Sequence, residues 1–287
     1  MIKLSVFEKQ RPPPLGGYRK SGGVPLAAFD GSNCNSELPS AHASGAPDRN
    51  GTFQLFRQAI DRTTPEVLVD GRNLSLPRLN ADGTQILYLV NSNPEDPARL
   101  ISVMEVPLQG GSPRLLLQKP FISVIQCARS PSRLCLFDTV AGGSAQFFSF
   151  DPDTGETREF ASFQVIEPPN WSLSPDGSQL ALLFHGPERK VSFMKVADKS
   201  THEITLNEWP RLEYMDWASD GKSVFVGSQT PSGAPVILSV QPGGDHQVLL
   251  EGDKAMRYWW VIPSPDGRYG ALEAVTGENN VWMVENF

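Results

Sequence analysis

A short turn sequence recurs along this chain at nearly constant spacing. An Asp-Gly pair stands at Asp82-Gly83, Asp176-Gly177, Asp220-Gly221 and Asp266-Gly267. A fifth copy, RSPSRLCLF from Arg129 to Phe137, keeps Ser-Pro but lacks Asp-Gly. The copies align on their second turn position, which is occupied by Ala81, Pro131, Pro175, Ser219 and Pro265. The intervals between them are 50, 44, 44 and 46 residues, and such regular spacing indicates a structural repeat.

Each copy is predicted to form a β-hairpin. Pro presets φ for the first central turn position, Asp hydrogen-bonds its local backbone, and Gly adopts a positive φ. Short apolar runs of β type flank the turn, such as NWSLS before it and QLALLF after it. The turn is therefore predicted to join the first two strands of each repeat.

A second hairpin is predicted to follow in each copy. The third-strand runs are LISVMEVPL, QFFSFDP, VSFMKVA, VILSVQP and NVWMVENF, and four of them lead into RLLLQ, TREFAS, HEITL and QVLLE. Four short antiparallel strands in about 45 residues are typical of a β-propeller blade. A β-sandwich with coincidental turns is the alternative, and five aligned copies argue against it. The sequence thus predicts an all-β chain with a β-propeller of five to six four-stranded blades over 51–287.

The two ends of the repeat region are irregular. Residues 1–50 are rich in Pro, Gly, Ser and Asn and are predicted to form an irregular leader. TFQLFRQAI and EVLVD look like a third and a fourth strand without a first pair, while the last copy stops after its third run. These two strands could complete the last blade, the leader could supply the missing strands, or the chain could be a piece of a longer propeller. We expect an incomplete or irregularly closed ring.

Charge and hydrophobicity limit the classes of partner. The net charge is −7 and the pI is about 5.2, which disfavours binding to nucleic acid because phosphate backbones are repelled. No run approaches the ~20 apolar residues of a membrane helix, and the start lacks the apolar core of a signal peptide. We expect a protein or peptide partner and no membrane segment. The compartment stays open: cytoplasmic by default, or periplasmic or extracellular within a larger membrane-anchored protein.

The SPDG…LA blades, from Gly51 to Phe287, resemble the TolB-type, WD40-like propeller repeat of bacterial proteins. The ending SPDGRYGALEAVTGENNVWMVENF is similar to that of propellers carried C-terminally by some bacterial serine/threonine protein kinases and winged-helix regulators. A blade with paired cysteines occurs in that group, and CARSPSRLC matches it. The resemblance implies a sensory or interaction module in a signalling system and transfers no catalytic residues.

Cys127 and Cys135 fall on the first and second strands of one predicted hairpin. If they are directly opposite, their Cβ atoms lie near disulfide range. The expectation is a disulfide in an oxidising compartment, and otherwise two buried thiols.

The chain offers no recognisable catalytic or metal-binding motif. The four histidines, His42, His185, His202 and His246, are scattered and predict no metal site. DPDTGE begins like a calcium loop, but Ser162 stands where the loop needs a Glu. There is no Gly-x-Ser-x-Gly motif. The sequence predicts no catalytic residues and no cofactor.

The connections between second and third strands are the predicted binding loops, because they share one face with the channel entrance and function concentrates in loops on rigid scaffolds. The candidate residues in them are Asn91, Glu95, Asp96, Arg99, His185, Glu188, Arg189, Glu278 and Asn279. The leading hypothesis is a non-catalytic propeller that binds a protein or peptide. The alternatives are a propeller hydrolase or lyase acting at the channel mouth, and a truncated fragment without independent function.

Overall fold

The computed structural model describes residues 2–7, 26–30, 52–59 and 66–276, except 92, 94, 96, 185–187, 253 and 255. This part of the chain forms 22 strands and no helix. The strands are β1 (Ile2–Phe7), β2 (Leu26–Asp30), β3 (Thr52–Ala59), β4 (Glu66–Arg72), β5 (Leu74–Leu79), β6 (Gln85–Asn91), β7 (Leu100–Pro107), β8 (Arg114–Pro120), β9 (Ile122–Cys127), β10 (Cys135–Ala141), β11 (Ser144–Phe150), β12 (Thr157–Gln164), β13 (Asn170–Leu173), β14 (Gln179–Leu183), β15 (Lys190–Lys195), β16 (Thr201–Thr205), β17 (Leu212–Trp217), β18 (Val224–Gln229), β19 (Pro235–Val240), β20 (His246–Glu251), β21 (Met256–Pro263) and β22 (Gly270–Thr276). No helix in it could cross a membrane.

Four sheets hold four antiparallel strands each, and they confirm the predicted blades. Their strand orders are β5-β6-β7-β8, β9-β10-β11-β12, β13-β14-β15-β16 and β17-β18-β19-β20. The first strands of neighbouring blades pack together, as β13 does against β17. The all-β propeller architecture expected from the repeat is therefore confirmed.

The two ends of the chain form three-stranded sheets. β3 pairs with both β1 and β4, and β1 and β3 pack beside β5. At the other end, β2 pairs in parallel with β22, which pairs with β21. The idea that β3 and β4 complete the last blade is wrong, because they belong to a separate sheet at the other end of the blade series. Two segments of the leader, expected to be irregular, instead supply strands to these sheets. The run NVWMVENF lies outside the described residues.

The outermost strand of a blade is far more exposed than the strand beside it. In the blade of β17–β20, all six residues of β19 are buried, whereas five of the six in β20 are exposed. Strands buried on both faces read as continuous apolar runs, which is why β19 is PVILSV.

The Asp-Gly turns form as predicted. Asp176 Oδ1 accepts hydrogen bonds from the Ser178 backbone amide at 2.9 Å and from Ser174 Oγ at 2.7 Å. Gly177 between them has φ +74°. These bonds close each turn locally, so the turn holds the first two strands in register without using an external partner.

The second turns of the blades have a different role, since they dock on the outer strand of the preceding blade. The turn in DPDTGE packs on β8, where Arg114 donates to the backbone carbonyls of Pro152 and Asp153. Gly155 has φ +74°, and a Cβ there would lie 2.3 Å from the Leu116 carbonyl oxygen. The local calcium-like pattern is thus explained by a tight turn at a blade junction.

We expect Gly155→Ala to destabilise the protein more than Gly83→Ala does. Both glycines have φ near +75°, but a Cβ at Gly83 meets nothing within 4 Å. The shared conformational cost is about 1–2 kcal/mol, and the backbone clash at Gly155 adds about 1–3 kcal/mol. Urea unfolding of the two variants measures the difference. Equal destabilisation would show that the junction does not dock as described.

Candidate functional site

A chain of hydrogen bonds links the first strands of three blades around the propeller axis. The Leu173 backbone amide of β13 donates a hydrogen bond to Gln126 Oε1 of β9, 2.8 Å away. Ser172 of β13 donates from Oγ to Asp216 Oδ1 of β17 at 2.8 Å. The Trp217 indole donates to the Ser172 carbonyl at 2.9 Å. These bonds join the blades through buried polar groups, each of which is satisfied by its neighbour.

An ion pair extends this network to a fourth blade. Arg78 of β5 lies 3.2 Å from Asp216 Oδ2, and their side chains are only 11% and 14% exposed. Burial lowers the pKa of Arg78, and the Asp216 charge opposes that effect. Burial likewise raises the pKa of Asp216, against the opposing effect of Arg78. Each charge therefore depends on the other to remain buried.

One aromatic ring contacts Arg78, and a second ring stacks on the first. The Arg78 guanidinium lies 4.5 Å from the centroid of the Trp260 ring, within cation–π range. Tyr214 stacks on Trp260 with ring centroids 5.7 Å apart. The axis therefore carries an arginine, an aspartate and two stacked aromatic rings from β5, β17 and β21.

The turn of the degenerate copy RSPSRLCLF lies over the propeller axis. It covers the axis on the face that carries the Asp-Gly turns, which we call the turn face. Its Arg129 donates from Nη1 to the carbonyls of Ser219 at 3.0 Å and Pro265 at 2.9 Å. The Arg129 amide donates to the Pro175 carbonyl, and the next amide donates to the Ala81 carbonyl. Arg129 and Ser130 of the degenerate copy thus donate hydrogen bonds to the backbone carbonyls at the aligned turn positions of all four other copies. The turn that lacks Asp-Gly is therefore the one whose residues bridge the other turns and act as a cap.

A disulfide bridges the two ends of this capping loop. Cys127 and Cys135 are directly paired across β9 and β10, with their Cα atoms 4.0 Å apart and their sulfurs bonded. The two cysteines are thus directly opposite each other, which is the arrangement that the sequence prediction of a disulfide required. The bond closes the loop that carries Arg129.

Asp138 is a buried carboxyl between blades. A bulge displaces β10 against β9, and Asp138 Oδ1 accepts the Val124 backbone amide at 2.8 Å. Oδ2 makes no hydrogen bond with any described residue. Burial raises the pKa of Asp138 to about 7, against the opposing effects of the nearby Trp171 indole and the Val124 amide.

We expect Asp138 to make the protein less stable as pH rises from 5 to 8. The folded-state pKa is about 7 and the reference value is 3.8, so the folded state holds the proton that the unfolded state loses. Linkage then removes about 2–3 kcal/mol of unfolding free energy over that interval. Asp138→Asn should abolish this loss, while Asp153→Asn, at an exposed position, should retain it. Unfolding curves at pH 5 and 8 measure both, and an unchanged pH dependence in Asp138→Asn would contradict the assignment.

The predicted binding-loop residues fall into three groups. Glu95, Arg99 and Glu188 are exposed on the described loops, where Glu188 pairs with Lys190 at 2.6 Å. Asn91 and Arg189 have structural bonds: Asn91 accepts from Asn73 at its carbonyl, and Arg189 donates to the Pro210 carbonyl at 2.9 Å. The remaining four candidates, Asp96, His185, Glu278 and Asn279, lie outside the described residues.

The described histidines lie at a junction between two blades. His202 Nε2 is 2.6 Å from the Pro242 carbonyl, and its ring stacks on Phe193 at 5.4 Å. His246 pairs with Glu208 at 2.6 Å. Within the described ranges, no three His, Cys, Asp or Glu side chains are grouped so as to hold a metal ion.

An apolar patch lies on the loop face beside the connection 165–169. Ile166 is 92% exposed. Phe163, three residues earlier in the chain, and Phe184 are half-buried and contact each other with ring centroids 5.6 Å apart. The Val165 amide donates to the Gly143 carbonyl and so fixes the connection to a neighbouring loop. We call these four residues, Phe163, Val165, Ile166 and Phe184, the loop-face patch.

Sequence reasoning missed the axial cluster, although the repeat contains a signal for it. Arg78, Ser172 and Asp216 each stand three residues before the aligned turn position of their copy. Polar residues at one equivalent position of inner strands indicate a ring around the axis. The loop-face patch had no such signal, because its members come from two blades.

The fold is similar to that of solved β-propellers. TolB from Acinetobacter baumannii matches with a TM-score of 0.60 and 13% identity, covering 78% of this chain and 62% of that chain. A putative TolB from Agrobacterium tumefaciens matches with a TM-score of 0.56 and 19% identity, covering 71% of each chain. Oligogalacturonate lyase from Vibrio parahaemolyticus matches with a TM-score of 0.53 and 12% identity, covering 75% of this chain and 62% of that chain.

These likenesses establish a TolB-like β-propeller fold. This chain spans about six tenths of the length of the Acinetobacter TolB. No protein-family model matches the chain. No curated protein matches its sequence.

Proposed function

We propose that this chain is a non-catalytic binding scaffold that holds a protein or peptide partner on its loop face. The observation that carries the proposal is the loop-face patch, in which Ile166 is 92% exposed and two phenylalanines are half-buried. Exposed apolar clusters rimmed by polar residues are typical of protein-binding surfaces. Glu167 and Glu188, both exposed on the same face, supply such a rim.

The rest of the molecule supports a rigid platform. The axial charges of Arg78, Asp216 and Arg129 bind one another or turn carbonyls and thereby cross-link the blades. A cross-linked axis fixes the relative positions of the loops, so that a partner meets a preformed surface. The similarity of the chain's ending to propellers of bacterial kinases favours a sensory or interaction role in a signalling system.

Site-specific crosslinking tests this proposal. A photoreactive benzoylphenylalanine replaces Ile166 in one variant and Leu115 in a matched control, since Leu115 is 53% exposed on the outer strand β8. The crosslinked protein is identified, purified and titrated against the unlabelled chain. We expect Ile166→Asp to weaken that binding at least tenfold because a central apolar contact is lost. Leu115→Asp should bind normally.

Two outcomes would overturn the proposal. One is equal crosslinking from the two positions. The other is a purified partner whose affinity is unchanged by Ile166→Asp. Circular dichroism of each variant verifies that the fold is retained before binding is compared.

A further inference from the structure

We propose that the axial cluster is a binding site for a carboxylate group, reached from the loop face and formed by Arg78 together with Trp260 and Tyr214. The inference rests on the proposed role as a binding scaffold and names the chemistry of one ligand group. It differs from the loop-face patch, which is apolar and combines Phe163 of β12, two residues of the connection after it, and Phe184 after β14.

The first argument is charge. Two guanidinium groups, those of Arg78 and Arg129, act on the single carboxylate of Asp216. The described charges at the axis therefore sum to +1, from two arginines and one aspartate. Arg129 is partly exposed and bonded to turn carbonyls, but its charge adds to the positive potential at the axis, which favours an anion there.

The second argument is the number of unused donors. An arginine side chain has five N–H donors. Arg78 uses one nitrogen, Nη2, in a hydrogen bond to the described residues, and its side chain keeps 11% exposure. The Trp260 indole nitrogen is buried and has no acceptor among the described residues. The cluster thus has donors to offer, and a carboxylate is an acceptor that can take two of them from one guanidinium.

The third argument is access. Arg129 and the turn carbonyls that it binds cap the axis at the turn face. The loop face is then the end from which a ligand would approach Arg78, and the rings beside that guanidinium are those of Trp260 and Tyr214. Flat rings beside a guanidinium suit an organic acid with an apolar or planar body better than a fully hydrated inorganic anion.

The carboxylate could belong to a peptide or to a free organic acid, and three probes distinguish these sources. Glutarate represents a free acid, N-acetyl-Leu-Glu a peptide acid, and N-acetyl-leucinamide a neutral control. The readout is the indole N–H resonance of Trp260 in a titration, identified by its loss in Trp260→Phe. We expect saturable shifts with one or both acids and none with the amide.

The test variant is the double substitution Arg78→Gln with Asp216→Asn. It removes the guanidinium donors and the buried carboxylate together, so neither charge is left unpaired and the net axial charge stays +1. We expect acid binding to weaken at least tenfold. Arg133→Gln, which changes an arginine that is 70% exposed, should leave binding unchanged.

Each outcome decides the inference. Binding of both acids assigns a general carboxylate site, and binding of the peptide acid alone assigns a peptide carboxylate. No saturable shift, equal shifts with the amide, or undiminished binding in the folded double variant would overturn it. Ile166→Asp should not alter probe binding, so failure of the loop-face patch and failure of the axial site are separate results.

Discussion

Replacing Asp216 with Asn is expected to lower the free energy of unfolding by about 3–5 kcal/mol. The substitution removes the carboxylate that faces Arg78 at 3.2 Å, in a pair that is less than 15% exposed on either side. It leaves the Arg78 guanidinium without its buried anion and removes a negative charge that also acts on Arg129. Urea unfolding, followed by circular dichroism, measures the loss.

The double variant provides the control for this prediction. Adding Arg78→Gln to Asp216→Asn should recover a large part of the lost stability, because no unpaired charge remains at Arg78. The coupling energy of the pair follows from the double-mutant cycle. Additive losses from the two single substitutions would contradict the description of a mutually dependent buried pair.

Replacing Arg129 with Ala is expected to cost about 3–5 kcal/mol. Its guanidinium supplies hydrogen bonds to the Ser219 and Pro265 carbonyls, and each charge-assisted bond contributes about 1.5–3 kcal/mol. Without it, the turn ends of two blades lose their shared donor. Thermal and urea unfolding measure the effect.

Arg133→Ala is the matched control, since it removes an arginine from the same loop. Arg133 and its partner Asp153 are each 70% exposed, so their ion pair contributes less than about 1 kcal/mol. If Arg129→Ala and Arg133→Ala have equal effects, the axis is not capped as described.

Reduction of the Cys127–Cys135 bond should also lower the free energy of unfolding, by about 2–3 kcal/mol, because a short loop that carries Arg129 is released.

Repetition made the blades predictable from sequence. The Asp-Gly turns fix where β13 ends and β14 begins, because a positive φ at Gly177 and an Asp side chain bonded to its own turn are local properties. The strands between turns follow from short apolar runs. Local chemistry of this kind needs no knowledge of the rest of the molecule.

The axis and the chain ends were less predictable because they depend on contacts across the ring. Arg78 and Asp216 are separated by 138 residues, and neither stretch of sequence shows that the other faces it. Likewise, the pairing of β2 with β22 joins segments from opposite ends of the chain. Their positions follow from ring geometry, which an individual repeat does not encode.

The degenerate repeat shows how a departure from pattern can be informative. Its turn lacks Asp-Gly, and this turn forms the axial cap through Arg129. The polar position three residues before the turn is a second example, since Arg78, Ser172 and Asp216 share it. Equivalent positions of the repeats, compared with one another, therefore indicate which inner-strand residues meet at the axis.

Hydrogen exchange of the complex tests most directly whether binding occurs on the loop face. The crosslinked partner, once purified, is added to the unmodified chain, and amide exchange is followed by mass spectrometry. We predict that protection increases at 163–169 and at the neighbouring loop 141–144, while the turns at 80–84, 174–178 and 218–222 are unchanged. Protection concentrated on the Asp-Gly turns, with none at 163–169, would contradict the account.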